Sequence, residues 1–202
     1  MTSFFYRLRF NHYDLEMALS DKHLISEAES IAAGLPSLNR EIEIAGNIPS
    51  EVVSQLRNAG IFHALVPREY GGAEVHPLSM IEIIKRISKA DGAVGWNVMI
   101  GCTTGLLAAS LSEPDARAIY GSQHGPLTVG VTAPSGVAKS VAGGYLVDGR
   151  WGWGSGAFHA DWVCGGCVVH DENDKERLSS TGSPEVWLMM FSKDQLKIEN
   201  TW

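Results

Sequence analysis

The chain has 202 residues, 45% of them apolar, and carries 16 Lys and Arg against 23 Asp and Glu for a formal charge of −7. That size and apolar content support one sizeable core or two modest domains and exclude disordered and collagen-like classes, while the scattered cations of an acidic chain lack the footprint of a nucleic-acid binder. No uninterrupted apolar run of roughly 20 residues stands out, and the opening MTSFFYRLRFNHYDLE has no signal-peptide core, so the expectation is a cytoplasmic protein without membrane contact.

Residues 1–20 do not share the pattern of the chain after Asp21 and are read as an extension of unknown order, with Met17 as an alternative start. From Asp21, the residues Leu24, Ile25, Ala28, Ile31 and Ala32 recur on one helical face until Gly34 and Pro36 end the run. A linker comes next. A second helix is expected from Pro49-Ser50, where proline suits the first turn and serine can cap, with Val52, Val53, Leu56 and Ala59 as its buried stripe. The segment Ile61 to Gly72 is short and apolar, turned by Pro67 and by the pair Gly71-Gly72. Leu78 to Lys89 carries Met80, Ile81, Ile83, Ile84 and Ile87 and reads as a core helix broken by Asp91-Gly92. Ala93 to Leu111 is small and apolar with almost no charge, as expected of a helix surrounded by protein. Ser112 and Asp115 then have the spacing of a capping box and open a short helix through Tyr120.

Composition shifts at Gly125-Pro126, the boundary expected between a helical domain, 21–125, and a strand-rich domain, 126–202. Leu127 to Val131 alternates as a strand. Val137 to Tyr145 reads as a strand and turn bent at Gly143-Gly144, and Leu146 to Ser155 continues the sheet. Asp161 to His170 and Val186 to Phe191 read as buried strands around the solvated loop Asp171 to Pro184, with one more short strand before Trp202. Cys164 and Cys167 form a C-x-x-C that His170 extends toward half a zinc site. A redox pair wants its first cysteine at a helix N-terminus and a structural zinc needs a fourth ligand, so both are read as packing cysteines and no metal is expected.

The run VDGRWGWGSGAFHADW, Val147 to Trp162, holds three of the six tryptophans, four glycines and the hydroxyl of Ser155. Flat apolar rings between residues without side chains suit a surface that receives another flat object. Three readings compete. Gly152 to Ala157 can be forced onto the dinucleotide fingerprint, but the residues after Ala157 are strand-like and glycine-broken where that motif needs a helix. The second reading is a glycine-rich bend with core tryptophans. The third is a flavin platform. His159 reads either as a proton relay or as a structural hydrogen-bonding residue, whereas His63, His76 and His124 are assigned no role.

The flavin reading gains its weight from resemblance. Asp148 to Ser155 followed by Ala160-Asp161-Trp162 resembles the N-G-x-K-x-W-I-[TS]-N-x-x-x-A-x-W segment of the acyl-CoA dehydrogenase superfamily. Val131-Thr132-Ala133-Pro134 resembles its V-T-E-P, and Leu56 to Gly72 its L-R-E-A-G-L-x-x-x-x-V-P-x-x-Y-G-G. The resemblance implies an α+β fold, with an N-terminal all-helical domain followed by an antiparallel β-barrel or sandwich-like middle domain, here without the C-terminal four-helix bundle. It implies bound FAD or FMN, with Trp153 against the isoalloxazine ring, Ser155 at its N5/O4 edge, Thr132 at the pyrimidine end, and Val131 and Gly154 beside them. Trp96 and Thr103 become candidate substrate-pocket residues, because the corresponding helix approaches the active site in this family.

Two branches of the superfamily matter. Acyl-CoA dehydrogenases act on an acyl-CoA through a glutamate base and bound FAD, whereas two-component monooxygenases take reduced flavin from a separate reductase and hydroxylate an aromatic-type small molecule. Ala133 replaces the glutamate of T-E-P, and Ser155-Gly-x-x-His-Ala-Asp-Trp162 resembles the monooxygenase form, so the oxygenase component is the favoured expectation. Gly101 to Thr104 depart from that branch, which often has a histidine after the position of Trp96. The resemblance covers about Asp21 to Trp202, implying a fragment whose catalytic base lies in the bundle and whose full-length form is a homotetramer with a flavin reductase as partner. The alternatives are an acyl-CoA dehydrogenase and a non-catalytic binding or assembly module.

Overall fold

The computed structural model describes residues 21–122 and 125–201. The expected extension at 1–20, with Met17, and also His124 lie outside the described residues. Helix α1, Lys22–Gly34, buries Leu24, Ala28, Ile31 and Ala32, the set that three- and four-residue spacing brings to one face. The expected linker is largely helical: a 3-10 turn, Leu35–Ser37, leads into α2, Asn39–Ala45, which Gly46 closes at φ 58°. A helix of seven residues that buries only Ile42 has no apolar stripe to give it away.

Helix α3, Ser50–Asn58, buries Val52, Val53 and Leu56. Pro49 takes the N-cap place expected of Ser50, and no side chain caps the helix. Next come two 3-10 turns, Ile61–His63 and Arg68–Tyr70, and Ile61, Phe62, Ala64 and Val66 are buried between and around them. Gly71 sits at φ 86°, and a Cβ on Gly72 would lie 1.9 Å from the Val66 carbonyl oxygen, so this turn needs its glycine pair.

Helix α4, Pro77–Ala90, buries Met80, Ile83 and Ile87, while Ile81 faces outward. Asp91 ends it and starts α5, Gly92–Thr104, accepting the Val94 N–H at 2.9 Å. A 3-10 continuation, Gly105–Ser110, completes a stretch that length and composition alone would allow to cross a membrane. Val94, Val98 and Cys102 pack it into the core, yet Trp96 is 54% exposed and Leu106 53%. Protein therefore covers α5 on one side only, against the expectation of complete enclosure. Helix α6, Glu113–Tyr120, has half of the expected capping box: Ser112 accepts the Asp115 N–H, while the Ser112 hydroxyl donates to the Asp115 carboxylate at 2.6 Å.

The strands β1, Thr128–Val141, β2, Gly144–Gly149, β3, Trp162–His170, and β4, Val186–Ser192, form one sheet in the order β2-β1-β3-β4. The sheet is mixed rather than wholly antiparallel, because β1 and β3 run parallel. After the tight β1–β2 hairpin, the chain from Arg150 to Asp161 crosses to the far side of β1, and β3 starts level with Thr128. A parallel neighbour requires a crossover of that kind. The sheet accordingly stops at Gly149 and does not continue to Ser155. Strand β4 is a half-exposed edge strand rather than a buried one, and a 3-10 turn, Lys193–Gln195, stands where a further strand was expected.

A single apolar cluster joins Leu24, Leu56, Ile83 and Val98 of the helices to Leu127, Val129 and Ala160 of the strand-rich part. Thr104 adds a polar tie, its hydroxyl donating to the Thr128 carbonyl at 2.6 Å. Packing across Gly125-Pro126 is thus continuous, and it brings the N-terminal turns of α5 to the crossover loop.

Candidate functional site

The crossover loop is laid over the sheet by Trp151. A Cβ on Gly136 of β1, Gly149 of β2 or Gly165 of β3 would come within 2.4 to 2.7 Å of a neighbouring atom, with the Trp151 ring at 2.4, 2.7 and 2.6 Å respectively. Three strands therefore leave a side-chain-free floor for one indole. Its Nε1–H donates to the Gly166 carbonyl at 2.8 Å, and Phe191 of β4 lies against it with ring centroids 5.6 Å apart.

Two residues further on the chain turns outward. Trp153 has φ 64°, a left-handed conformation uncommon for a bulky residue, and its side chain is 79% exposed. Such backbone settings cluster at functional sites, where surrounding structure imposes them. Gly156, at φ 81°, lets the loop approach α5: a Cβ there would sit 2.8 Å from Asn97 Oδ1 and 3.1 Å from Val129 Cγ1. Between them the Ser155 hydroxyl accepts the Trp96 Nε1–H at 3.0 Å.

The end of the loop is fastened to the helices. Arg57 donates to Asp161 Oδ2 at 2.6 Å, to the Gly125 carbonyl at 3.1 Å and to the His159 carbonyl at 3.4 Å, and the same Asp161 oxygen accepts the Leu127 N–H at 2.8 Å. His159 Nε2 pairs with Asn47 Oδ1 at 2.8 Å, and Lys193 bonds the Phe158 carbonyl. Burial, with the nearby Lys193 and Arg57 charges, holds the His159 imidazole below its ordinary value.

Together these elements border an open cavity of about 1730 Å³ between α2, the first turns of α5, β2, the crossover loop and β4. Val131, Trp153, Gly154, Ser155 and Trp96 all line it. Thr132 and Thr103 do not. Thr132 is exposed where β1 shifts register against β3, and Thr103 turns its hydroxyl back to the Met99 carbonyl at 2.8 Å. On the rim, Arg150 and Lys197 both pair with Glu199, at 3.0 and 2.8 Å. The floor tryptophan Trp151, the clasp Arg57 and the helix residue Asn97 were not singled out from sequence. The glycines opposite Trp151 belong to three separate strands, so only their register could have exposed that role.

Cys164 and Cys167, three positions apart on β3, point to opposite faces, and each lies against a β1 glycine, Gly130 or Gly136. Burial raises both thiols, Cys164 to about 11, which disfavours the thiolate in the absence of a partner. Among the described residues no group of three or more metal-ligating side chains occurs.

Residues 26–114, most of the helical part, match the model of the acyl-CoA dehydrogenase N-terminal domain. Over that stretch the chain carries the acyl-CoA dehydrogenase N-terminal domain. The chain is 33% identical over 162 residues to an indole-3-acetate monooxygenase of Pseudomonas putida, a match covering 80% of this chain and 39% of that protein. It is 28% identical over 179 residues to the flavin-dependent monooxygenase oxygenase subunit HsaA of Rhodococcus jostii, covering 86% of this chain and 44% of the other. The fold matches that of XiaF from a Streptomyces species, solved with FADH2 and glycerol, at a TM-score of 0.83 and 23% identity over 95% of this chain and 47% of XiaF. The chain spans less than half the length of these relatives.

Proposed function

We propose that this chain forms the flavin-binding part of the oxygenase component of a two-component monooxygenase, which hydroxylates an aromatic-type small molecule with reduced flavin supplied by a separate reductase. One observation carries the reading: Trp153 and Ser155 are held on a single strained loop at the wall of a large cavity that Trp96 reaches from the helical side. The similarity to flavin-dependent and indole-3-acetate monooxygenases supports the reaction class. Ala133, standing where dehydrogenases of the family keep a glutamate, favours it over the acyl-CoA dehydrogenase alternative.

The residues present fit a flavin. The Trp153 ring offers an exposed aromatic face, Ser155 a hydroxyl, and Gly152 and Gly154 a backbone that a planar ligand can approach without meeting a Cβ. Val131 supplies apolar wall at the same end. Reduced flavin, when bound, supplies the electrons that activate dioxygen for ring hydroxylation. The chain's own part is to stack and to donate a hydrogen bond at the ring edge, with Trp96, Met190 and Phe191 as further apolar wall. Thr132 and Thr103 stay outside the lining, so ligand contacts through either side chain would need local rearrangement.

Titrating the chain with oxidised and reduced FMN and FAD while following flavin and tryptophan fluorescence tests the proposal. Saturable quenching is expected of the chain, and substrate-dependent oxygen uptake with a phenolic or indolic substrate and a reductase is expected of a form that also carries the C-terminal bundle. Bleaching of bound flavin by an acyl-CoA without oxygen would instead select the dehydrogenase, and failure to bind any flavin would reject both.

A further inference from the structure

Trp96 and Ser155 lie 59 positions apart and meet at 3.0 Å. The chemistry of the two groups fixes the direction of that bond. An indole N–H can only donate, whereas a serine hydroxyl has one proton and two lone pairs. Ser155 must therefore be the acceptor, and the bond consumes a lone pair while leaving the proton unspent. Among the described residues the Ser155 hydroxyl has no other hydrogen-bond partner. Both residues line the cavity, so the spare proton is on hand for a group bound there.

We propose that Trp96 is a positioning residue for Ser155: by occupying one acceptor site it restricts the rotor and leaves the hydroxyl proton to be donated into the cavity. This differs from a substrate-wall role for Trp96, because the indole acts through its N–H rather than its face. Helix α5 sets the geometry. Val94, Val98 and Cys102 anchor it in the core, so Trp96 projects from a fixed turn toward a loop that is itself pinned by Trp151 and Arg57. Neither partner needs to move for the bond to form. The identity of the acceptor, the N5/O4 edge of a flavin, rests on the proposed flavin-binding function; the pairing itself does not.

Two measurements on the purified chain test this. In the first, the dissociation constants of oxidised FMN and FAD are compared for the parent, Trp96→Phe, Ser155→Ala and the double variant. Each single change is expected to weaken binding about three- to tenfold, the scale of one hydrogen bond. The double variant should bind no worse than Ser155→Ala alone, since the indole acts through the hydroxyl. Losses that multiply in the double variant would overturn the proposal. In the second, the indole N–H resonance of Trp96 is followed by 1H–15N NMR without flavin. Ser155→Ala should shift it and hasten its exchange with solvent, and an unchanged resonance would overturn the pairing. A parent chain that binds no flavin but shows the shift would sink the flavin reading while upholding the pairing.

Discussion

Arg57 and Asp161, 104 positions apart, are joined at 2.6 Å, and through the Gly125, His159 and Leu127 backbone groups they hold both ends of the segment that contains the crossover loop. A guanidinium presents five N–H donors in a rigid planar fork, whereas a lysine has three on a single nitrogen. The site loop is thereby tied to α3, an element that contributes nothing to the cavity wall itself.

Replacing Arg57 by Met keeps its aliphatic stem and removes its bonds to Asp161, Gly125 and His159, leaving the Leu127 N–H on Asp161. Because the ion pair is partly solvated, its own share is small, and the loss of the backbone carbonyl contacts sets the effect at about 1–2 kcal/mol of stability. Urea unfolding should show a lower midpoint with an unchanged slope. Flavin affinity should fall with it, as the loop loosens.

Trp153→Gly separates stability from binding. Removing a non-glycine residue from φ 64° relieves roughly 1 kcal/mol of backbone strain, which glycine's extra freedom in the unfolded chain offsets in part, and the exposed ring gives up little burial. Thermal unfolding of the variant should stay within about 1 kcal/mol of the parent. Flavin binding should weaken by at least about tenfold, as expected when a stacking face is lost.

Gly165→Ala tests the floor beneath Trp151. The added methyl would lie 2.6 Å from the indole, so the ring must lift and its bond to the Gly166 carbonyl must break. Overpacking of this kind costs about 1–3 kcal/mol. A drop in urea midpoint, with a change in the near-ultraviolet circular dichroism of the tryptophans, is the expected result.

Acid should destabilise the chain through His63 and His159. Burial lowers both imidazoles below their ordinary value of 6.5 in the folded state. The folded chain thus binds fewer protons than the unfolded one in this range, so the stability they contribute is complete above 6.5 and is lost as pH falls through their folded values. The urea midpoint should be lower at pH 5.5 than at pH 7.5. Substituting both histidines by Gln should flatten that dependence.

Helical periodicity located α1, α3 and α4 because their buried residues repeat every three or four positions, and the strand character of β1 and β3 shows in their apolar and β-branched composition. It missed α2, which buries one residue, and it took Leu146 to Ser155 as continuous strand because aromatic and glycine alternation imitates a two-residue period. Resemblance to the superfamily, through a motif for Trp153 and Ser155 and through the place of the helix for Trp96, singles out three residues that line one cavity. Thr132 and Thr103, singled out in the same two ways, lie outside it, since a register shift in β1 and a bond back to Met99 turn them elsewhere.

What the sequence determined by itself is local: which stretches are helix or strand, where glycine permits a sharp turn, and which family motifs the chain bears. Only the tertiary structure decided that β3 crosses over to run parallel to β1, that three strands clear a floor for Trp151, and that Trp96 meets Ser155. The reason is physical. Local conformation is set by neighbouring residues a few bonds away, whereas register and side-chain pairing across 59 or 104 positions are settled by how the whole core packs.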